Sequence, residues 1–347
     1  MTNLPLPLTC QAHTISEKKL VPWRYDAALR KETKFSLLIP QSFLLFKSFN
    51  QPPSVQQPFV DCAYFKSPDG QLEIIVQSSL MESEISLQHY LEYLAQLSGE
   101  TVLHERLVDE NPDQPDLLLS RRFADGQTWI TRRMGYKVYG GDCAVVIVVH
   151  AAVNLERYAE HAEMLYCIAS SLRPLEQPSY VLAEKLRLFS KKHPGDFATY
   201  IPESWQELHH HNNSMKKYNA VFTKKFRNKI SGVLNISTLS VDEAYAPQVA
   251  LKRFHEGYNR QGMQMHTIPL VKCSEIKCFA SVLKGEMEFS ASTSEPQLKN
   301  LITFYITEFK GAWFYIEMFG PARSADFEAW AINWRVLNLV TEHFNVV

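Results

Sequence analysis

Glycine is scarce in this chain, at 13 of 347 residues. None clusters ahead of a helical pattern, and neither G-x-x-x-x-G-K-S/T nor G-x-G-x-x-G occurs. The backbone cradles that hold nucleotide phosphates are therefore excluded. The G-x-S-x-G elbow of hydrolases and the H-E-x-x-H of zinc proteases are missing too. Long apolar runs are missing: Cys143–Val149 has strand length, short of the ~18–20 residues a membrane span needs. The opening MTNLPLPLTCQAH has no basic start, and Cys10 after Leu8-Thr9 lacks the apolar run of a lipoprotein signal, so no signal peptide is expected. Neither sign of charge dominates, with 36 Lys plus Arg against 37 Asp plus Glu, so no global basic footprint for nucleic acid or membrane surfaces is present. Six cysteines fit no zinc or thioredoxin spacing. Cys143 and Cys167 lie in apolar contexts and are expected to be reduced and buried, in a cytoplasmic protein.

What the chain does have is ordinary globular composition, 46% apolar and 21% charged, and a length that suggests two domains. It also states one phrase twice. FSLLIPQSF (Phe35–Phe43) returns as FATYIPESW (Phe197–Trp205), 162 positions on. Each reads as a strand stopped by Pro, which cannot donate to a ladder. The same succession follows each copy. In the first, two strand-like runs surround Ser67-Pro68-Asp69-Gly70, a hairpin signal. A helix follows with Leu87, Tyr90, Leu91, Leu94 and Leu97 on one face, Ser86 as cap and Gly99 as stop. Next come a strand (TVLHERLV), a three-strand meander (Leu117–Phe123, Gln127–Tyr139, Cys143–His150) and a closing helix over about 154–172. The second copy repeats this order, with a loop insertion around Ser292–Gln297. The spacing predicts an α+β fold of two tandem repeats, each an antiparallel sheet packed with helices. The expected divisions are an N-terminal arm at 1–30, repeats at 31–175 and 195–347, and a linker at 176–194 with a short helix over Leu182–Phe189.

Strand, Ile-Pro stop (IPQSF, IPESW), hairpin, helix, meander and closing helix together resemble the PsbP-like fold over about Phe35–Leu172 and Phe197–Phe344. That fold, an α/β/α sandwich, is shared by photosystem assembly proteins, a Ran-binding nuclear import factor and small bacterial proteins. Among the last are the Eag-type chaperones of type VI secretion, which hold transmembrane segments of effectors but are typically single-domain. The resemblance implies a protein-binding role in bacteria; fold alone does not carry function.

Local constellations give little chemistry. His209-His210-His211 point in different directions on an extended chain and suit a solvated loop better than one ion. The H-x-E of His161–Glu163 lacks the P-C-x-x-C partner of zinc deaminases. Gly140-Gly141-Asp142 reads as a hairpin turn. Asp61, Asp142 and Glu317 are scattered acids with no visible pairing. Lys216, Lys217, Lys224, Lys225, Arg227 and Lys229 alternate with Tyr218, Phe222 and Phe226. Such a stretch can bind single strands, but lysines equally block strand-to-strand association at a sheet edge; nucleic acid is not an expected partner.

The parity of the meander strands is more informative. Trp129, Arg133, Lys137 and Tyr139 share one parity in the first repeat. In the second, Tyr305, Trp313 and Tyr315 are assigned to the face opposite Ile302, Phe304 and Ile306. Amphipathic aromatics suit recognition surfaces. Trp129, Tyr139, Tyr305, Trp313 and Tyr315 are therefore the candidate partner contacts, unless that face packs internally. The expectation is a non-enzymatic, secretion-associated chaperone or adaptor that holds an effector's apolar segment. It would be a monomer with an internal pseudo-dimer, with no cofactor, no metal and no membrane span. The alternative is a secreted effector or enzyme whose site assembles only in space.

Overall fold

The computed structural model describes residues 4–26, 34–48, 59–108, 113–139, 144–175, 182–192, 195–208, 216–226, 229–256, 268–290 and 299–346. His209–His211, Gly140–Cys143, Arg227 and the Ser292–Gln297 insertion lie outside them. The chain divides into two compact units, Met1–Glu184 and Lys185–Val347.

Unit one runs α1 (Ala12–Glu17), β1 (Leu20–Tyr25), β2 (Phe35–Pro40), β3 (Leu44–Ser48), β4 (Phe59–Lys66), β5 (Leu72–Met81) and α2 (Leu87–Leu97). It continues β6 (Thr101–Leu107), β7 (Pro115–Arg122), β8 (Thr128–Tyr139), β9 (Ala144–Asn154), α3 (Tyr158–Ser170) and β10 (Arg173–Pro174). Unit two runs β11 (Leu186–Lys191), β12 (Phe197–Pro202), β13 (Gln206–Leu208), β14 (Lys217–Phe226), β15 (Lys229–Ser240) and α4 (Pro247–Phe254). It continues β16 (Val271–Cys273), β17 (Val282–Ser290), β18 (Lys299–Phe309), β19 (Ala312–Pro321), α5 (Phe327–Glu342) and β20 (Asn345–Val346). Each unit holds one seven-stranded antiparallel sheet, in the order β3-β4-β5-β9-β8-β7-β6 or β13-β14-β15-β19-β18-β17-β16. The two orders match strand for strand. Each unit adds a three-stranded sheet around the Ile-Pro strand, β1-β2-β10 or β11-β12-β20. The fold class is α+β in tandem, with helices on both faces of each large sheet.

The repeated phrase is a core element in both units: Phe35, Ile39, Phe197 and Ile201 are buried. On one face of the unit-one sheet, Ile74, Val76, Ile147 and Val149 pack with Leu165 and Ile168 of α3. Burying each such side chain contributes about 1.5–3 kcal/mol. The other face carries the alternate residues and is covered in part by α2, whose N-terminal N–H of His89 donates to the Ser86 hydroxyl at 3.3 Å.

Three sequence expectations change. Leu182–Phe189 is not helical; its second half enters β11, which pairs with β12 from Leu186↔Pro202 to Lys191↔Phe197. The arm is not separate: β1 pairs with β2 along its whole length, and the Pro5 and Pro7 carbonyls accept from Tyr158 Oη at 2.7 Å and Arg132 Nη2 at 3.0 Å. Cys167 is not a reduced thiol; it is disulfide-bonded to Cys10 with a Cα–Cα distance of 4.8 Å, tying the arm to α3. Nothing in the local sequence signals this pairing across 157 positions. Among the described residues no helix is long and apolar enough to cross a membrane.

Candidate functional site

The face of the unit-one sheet not used by α3 holds a groove of about 460 Å³, within the range of small binding clefts. Strand register builds its floor. Arg133, His150 and Ile75 lie side by side across β8, β9 and β5, and the next row on this face is Thr131, Ala152 and Glu73. Because side chains alternate in a strand, these are the neighbours in sequence of the α3-facing core residues. α2 closes one end. Tyr90 Oη donates to Ser79 Oγ at 2.6 Å. The wholly buried Lys137 ammonium holds Glu84 at 3.2 Å and the Ile85 carbonyl at 3.1 Å.

The way α2 stops supplies a groove residue. Gly99 has φ +66°, in the left-handed region that favours glycine. Its N–H donates to the Gln96 carbonyl at 3.1 Å, and the Glu100 N–H to the Ala95 carbonyl at 2.9 Å, a Schellman ending. The reversal brings the Glu100 carboxylate 2.5 Å from Arg133 Nη2. Arg133 is 2% exposed. Its Nε donates to His150 Nδ1 at 2.9 Å. With Nδ1 acting as acceptor, neutral His150 carries its proton on Nε2. Burial, and then the Arg133 charge, hold the His150 imidazole well below its usual pKa. His150 Nε2 and Arg133 Nη1 are both buried and have no hydrogen-bond partner among the described atoms. Two donors are thus left unsatisfied at the floor of one groove, an arrangement that is uncommon in folded proteins.

The rim is aromatic and cationic. Phe123 is 41% exposed, and its ring meets Trp129 edge-on with centroids 6.4 Å apart. The exposed Arg121 guanidinium lies 4.8 Å from the Phe123 ring centre and pairs in register with Trp129. The acidic lining residues have partners: Glu73 binds Lys66 at 2.8 Å, Asp125 accepts from the Gln127 N–H at 3.0 Å, and Glu100 binds Arg133.

Trp129 therefore stands at a groove rim. Tyr139 ends β8, and its side chain lies outside the described residues. Tyr305, Trp313 and Tyr315 are core residues, at 2%, 7% and 1% exposure, and offer no surface in unit two. They do not even share a face. Tyr305 pairs in register with Ile316 and packs in the α5-side core with Phe314 and Val336. Trp313 and Tyr315 join Ile302, Phe304 and Ile306 on the side of α4. Parity within single strands could not fix this, because the register between strands decides which residues meet.

That α4-side face is filled. Phe254 stacks on Tyr315 at 4.7 Å, and Trp313 Nε1 donates to the Ala244 carbonyl at 2.9 Å. Buried His255 Nε2 lies 2.5 Å from Tyr315 Oη, whose hydroxyl donates to the Glu317 carboxylate. Glu317, read as a scattered acid, is a core hydrogen-bond acceptor. The basic hairpin changes meaning as well: Tyr218 and Phe222 are buried, and Lys224 Nζ donates to Ser204 Oγ at 2.6 Å. Those two rings are not available for stacking on bases.

Sequence reasoning missed His150, Glu100, Arg121 and Phe123. One signal for His150 was present: it is the sole ionisable residue in the run AVVIVVHAAV. Among the described residues no three His, Cys, Asp or Glu side chains are gathered to hold a metal ion.

No family model and no curated protein matches the chain. Solved structures it is similar to include a cyanobacterial PsbP from Synechocystis, at 12% identity, covering 44% of this chain and 92% of that one, with a TM-score of 0.30. The Saccharomyces cerevisiae Ran-binding protein Mog1p gives 12% identity, 47% and 97% coverage and a TM-score of 0.32. The type VI secretion immunity protein TplEi of Pseudomonas aeruginosa gives 10% identity, 96% and 98% coverage and a TM-score of 0.24. Scores this low carry no conclusion about activity.

Proposed function

We propose that the protein is a non-enzymatic binding module that holds a segment of another polypeptide in the unit-one groove. The carrying observation is the pair of buried, unpartnered donors, Arg133 Nη1 and His150 Nε2, on the floor of an aromatic-rimmed groove. Unsatisfied donors cost about 1–3 kcal/mol each when buried, so an occupant that brings acceptors has a favourable place to bind. The rings of Trp129 and Phe123 supply apolar contact of the kind found at interface hot spots. A secretion-associated chaperone or adaptor is the form of this role that the sequence resemblance implies. The groove's polar lining favours a mixed segment over a wholly apolar one.

His150 also argues against the enzyme reading of this site. A general base needs a lone pair directed at substrate, and the lone pair on Nδ1 is engaged by Arg133. The Cys10–Cys167 disulfide favours an oxidising compartment over a reducing cytosol.

The test is affinity capture from the cells that make the protein, using the wild type beside a Phe123→Ala/Trp129→Ala variant. Both side chains lie at the rim, so the variant keeps the fold. A stoichiometric polypeptide retained by the wild type and lost by the variant supports the reading; equal retention by both contradicts it.

A further inference from the structure

The unit-one groove has a definite chemical preference, which rests on its reading as a binding site. We infer that it selects an acidic segment, seating an Asp or Glu carboxylate of the partner against Arg133, His150 and Arg121.

Three observations converge. First, both unsatisfied floor atoms are donors. Arg133 Nη1 and His150 Nε2–H can be satisfied only by an acceptor, and a carboxylate offers two oxygens to a pair of N–H groups. Second, the carboxylates already lining the groove have other partners. Glu100 takes Arg133 Nη2, Glu73 takes Lys66 and Asp125 takes its own turn. None of them reaches the two buried donors. Third, Arg121 is an exposed guanidinium in the groove lining. Among the described residues it makes a ring contact with Phe123 and no ion pair. A carboxylate entering past Trp129 and Phe123 meets this cation at the rim and the donor pair at the floor. An amide in the same place would present an N–H₂ to a site that has donors already, which leaves a repulsive contact and an unmet hydrogen bond.

The probe is a phage-displayed library of random peptides selected on the full-length, oxidised protein. Selection is then repeated on the Phe123→Ala/Trp129→Ala variant to mark the groove-dependent clones. The expected result is enrichment of Asp or Glu among those clones. In synthetic peptides, replacing the enriched acid by Asn or Gln should weaken binding at least about tenfold, the loss of one charge-assisted bond. Arg121→Gln, a surface change, should weaken the acidic peptides several-fold at unchanged melting temperature and leave their amide forms unaffected. His150→Gln, which retains a donor, should bind better than His150→Leu.

Groove-dependent clones without acid enrichment, or amide peptides that bind equally well, overturn the carboxylate preference while leaving the groove as a binding site. Failure to obtain any groove-dependent clone overturns both. A C-terminal carboxylate as the recognised group would appear as binding that survives the side-chain amide swap and is lost on C-terminal amidation, and it too overturns the side-chain assignment.

Discussion

Arg133 Nε donates to His150 Nδ1 across 2.9 Å, and this single bond determines what both residues can do. It fixes the imidazole as an Nε2–H donor and removes it as a base. It also orients the guanidinium so that Nη2 meets Glu100 while Nη1 has no hydrogen-bond partner among the described residues.

Arg133 carries stability as well as recognition. Arg133→Met removes one partner of a buried ion pair and leaves the Glu100 carboxylate, 8% exposed in its side chain, without its cation. Breaking such a pair costs about 3–5 kcal/mol. Urea unfolding followed by circular dichroism should show this loss. Arg121→Gln, at an exposed position, should shift the midpoint by less than about 0.5 kcal/mol.

The Cys10–Cys167 bond closes most of unit one into a loop. Chain-entropy reasoning for so long a loop gives a stabilisation of about 2–5 kcal/mol. Adding reductant to the wild type should lower its unfolding midpoint accordingly, and Cys10→Ser should show the same loss with no further response to reductant. Limited proteolysis of the reduced protein should cut first in the arm, before β1.

Cys62 should be an inert thiol. It is buried, donates toward Ser78 Oγ at 3.3 Å, and burial pushes its pKa up to about 11. The reactive thiolate therefore forms only as pH rises toward about 11. Native protein at pH 8 should resist iodoacetamide at Cys62. Unfolding returns the pKa to about 8.5, and alkylation should then be rapid. Mass spectrometry of native and denatured samples checks this, since a thiolate rather than a thiol is the nucleophile.

In unit two Tyr305 and Tyr315 are structural. Tyr315→Phe removes the hydroxyl that joins His255 to Glu317, and with it buried hydrogen bonds of the core. The expected cost is about 1–3 kcal/mol in thermal or urea unfolding, with no change in partner capture by unit one. Loss of capture at unchanged stability would restore Tyr315 to the contact surface.

The repeat was legible because strand stops, hairpin turns and helical periodicity are local signals. The Ile-Pro phrase, the Ser86 cap and the Gly99 stop all stand where local chemistry places them. Leu182–Phe189 misread as helix because β11 is specified by its partner β12, not by its own pattern. The site was less legible. Trp129 and Arg133 were visible as same-parity neighbours on β8, but His150 and Glu100 reach them from β9 and from the end of α2, which only register and the α2 ending specify. Tyr305, Trp313 and Tyr315 looked like a surface because nothing in single-strand parity reveals that α4 covers one face and α5 the other. Cys10 and Cys167 meet only when the arm folds back on α3.

The most direct measurement places a photo-crosslinking amino acid at position 129, and separately at position 188, which is exposed in unit two (Leu188, 61%). Both variants are irradiated in the cells that make the protein. The account predicts a discrete polypeptide adduct from position 129 and none from 188, with the adduct reduced by Arg121→Gln. No adduct at position 129, or the same adduct from both positions, would contradict the claim that the unit-one groove holds the partner.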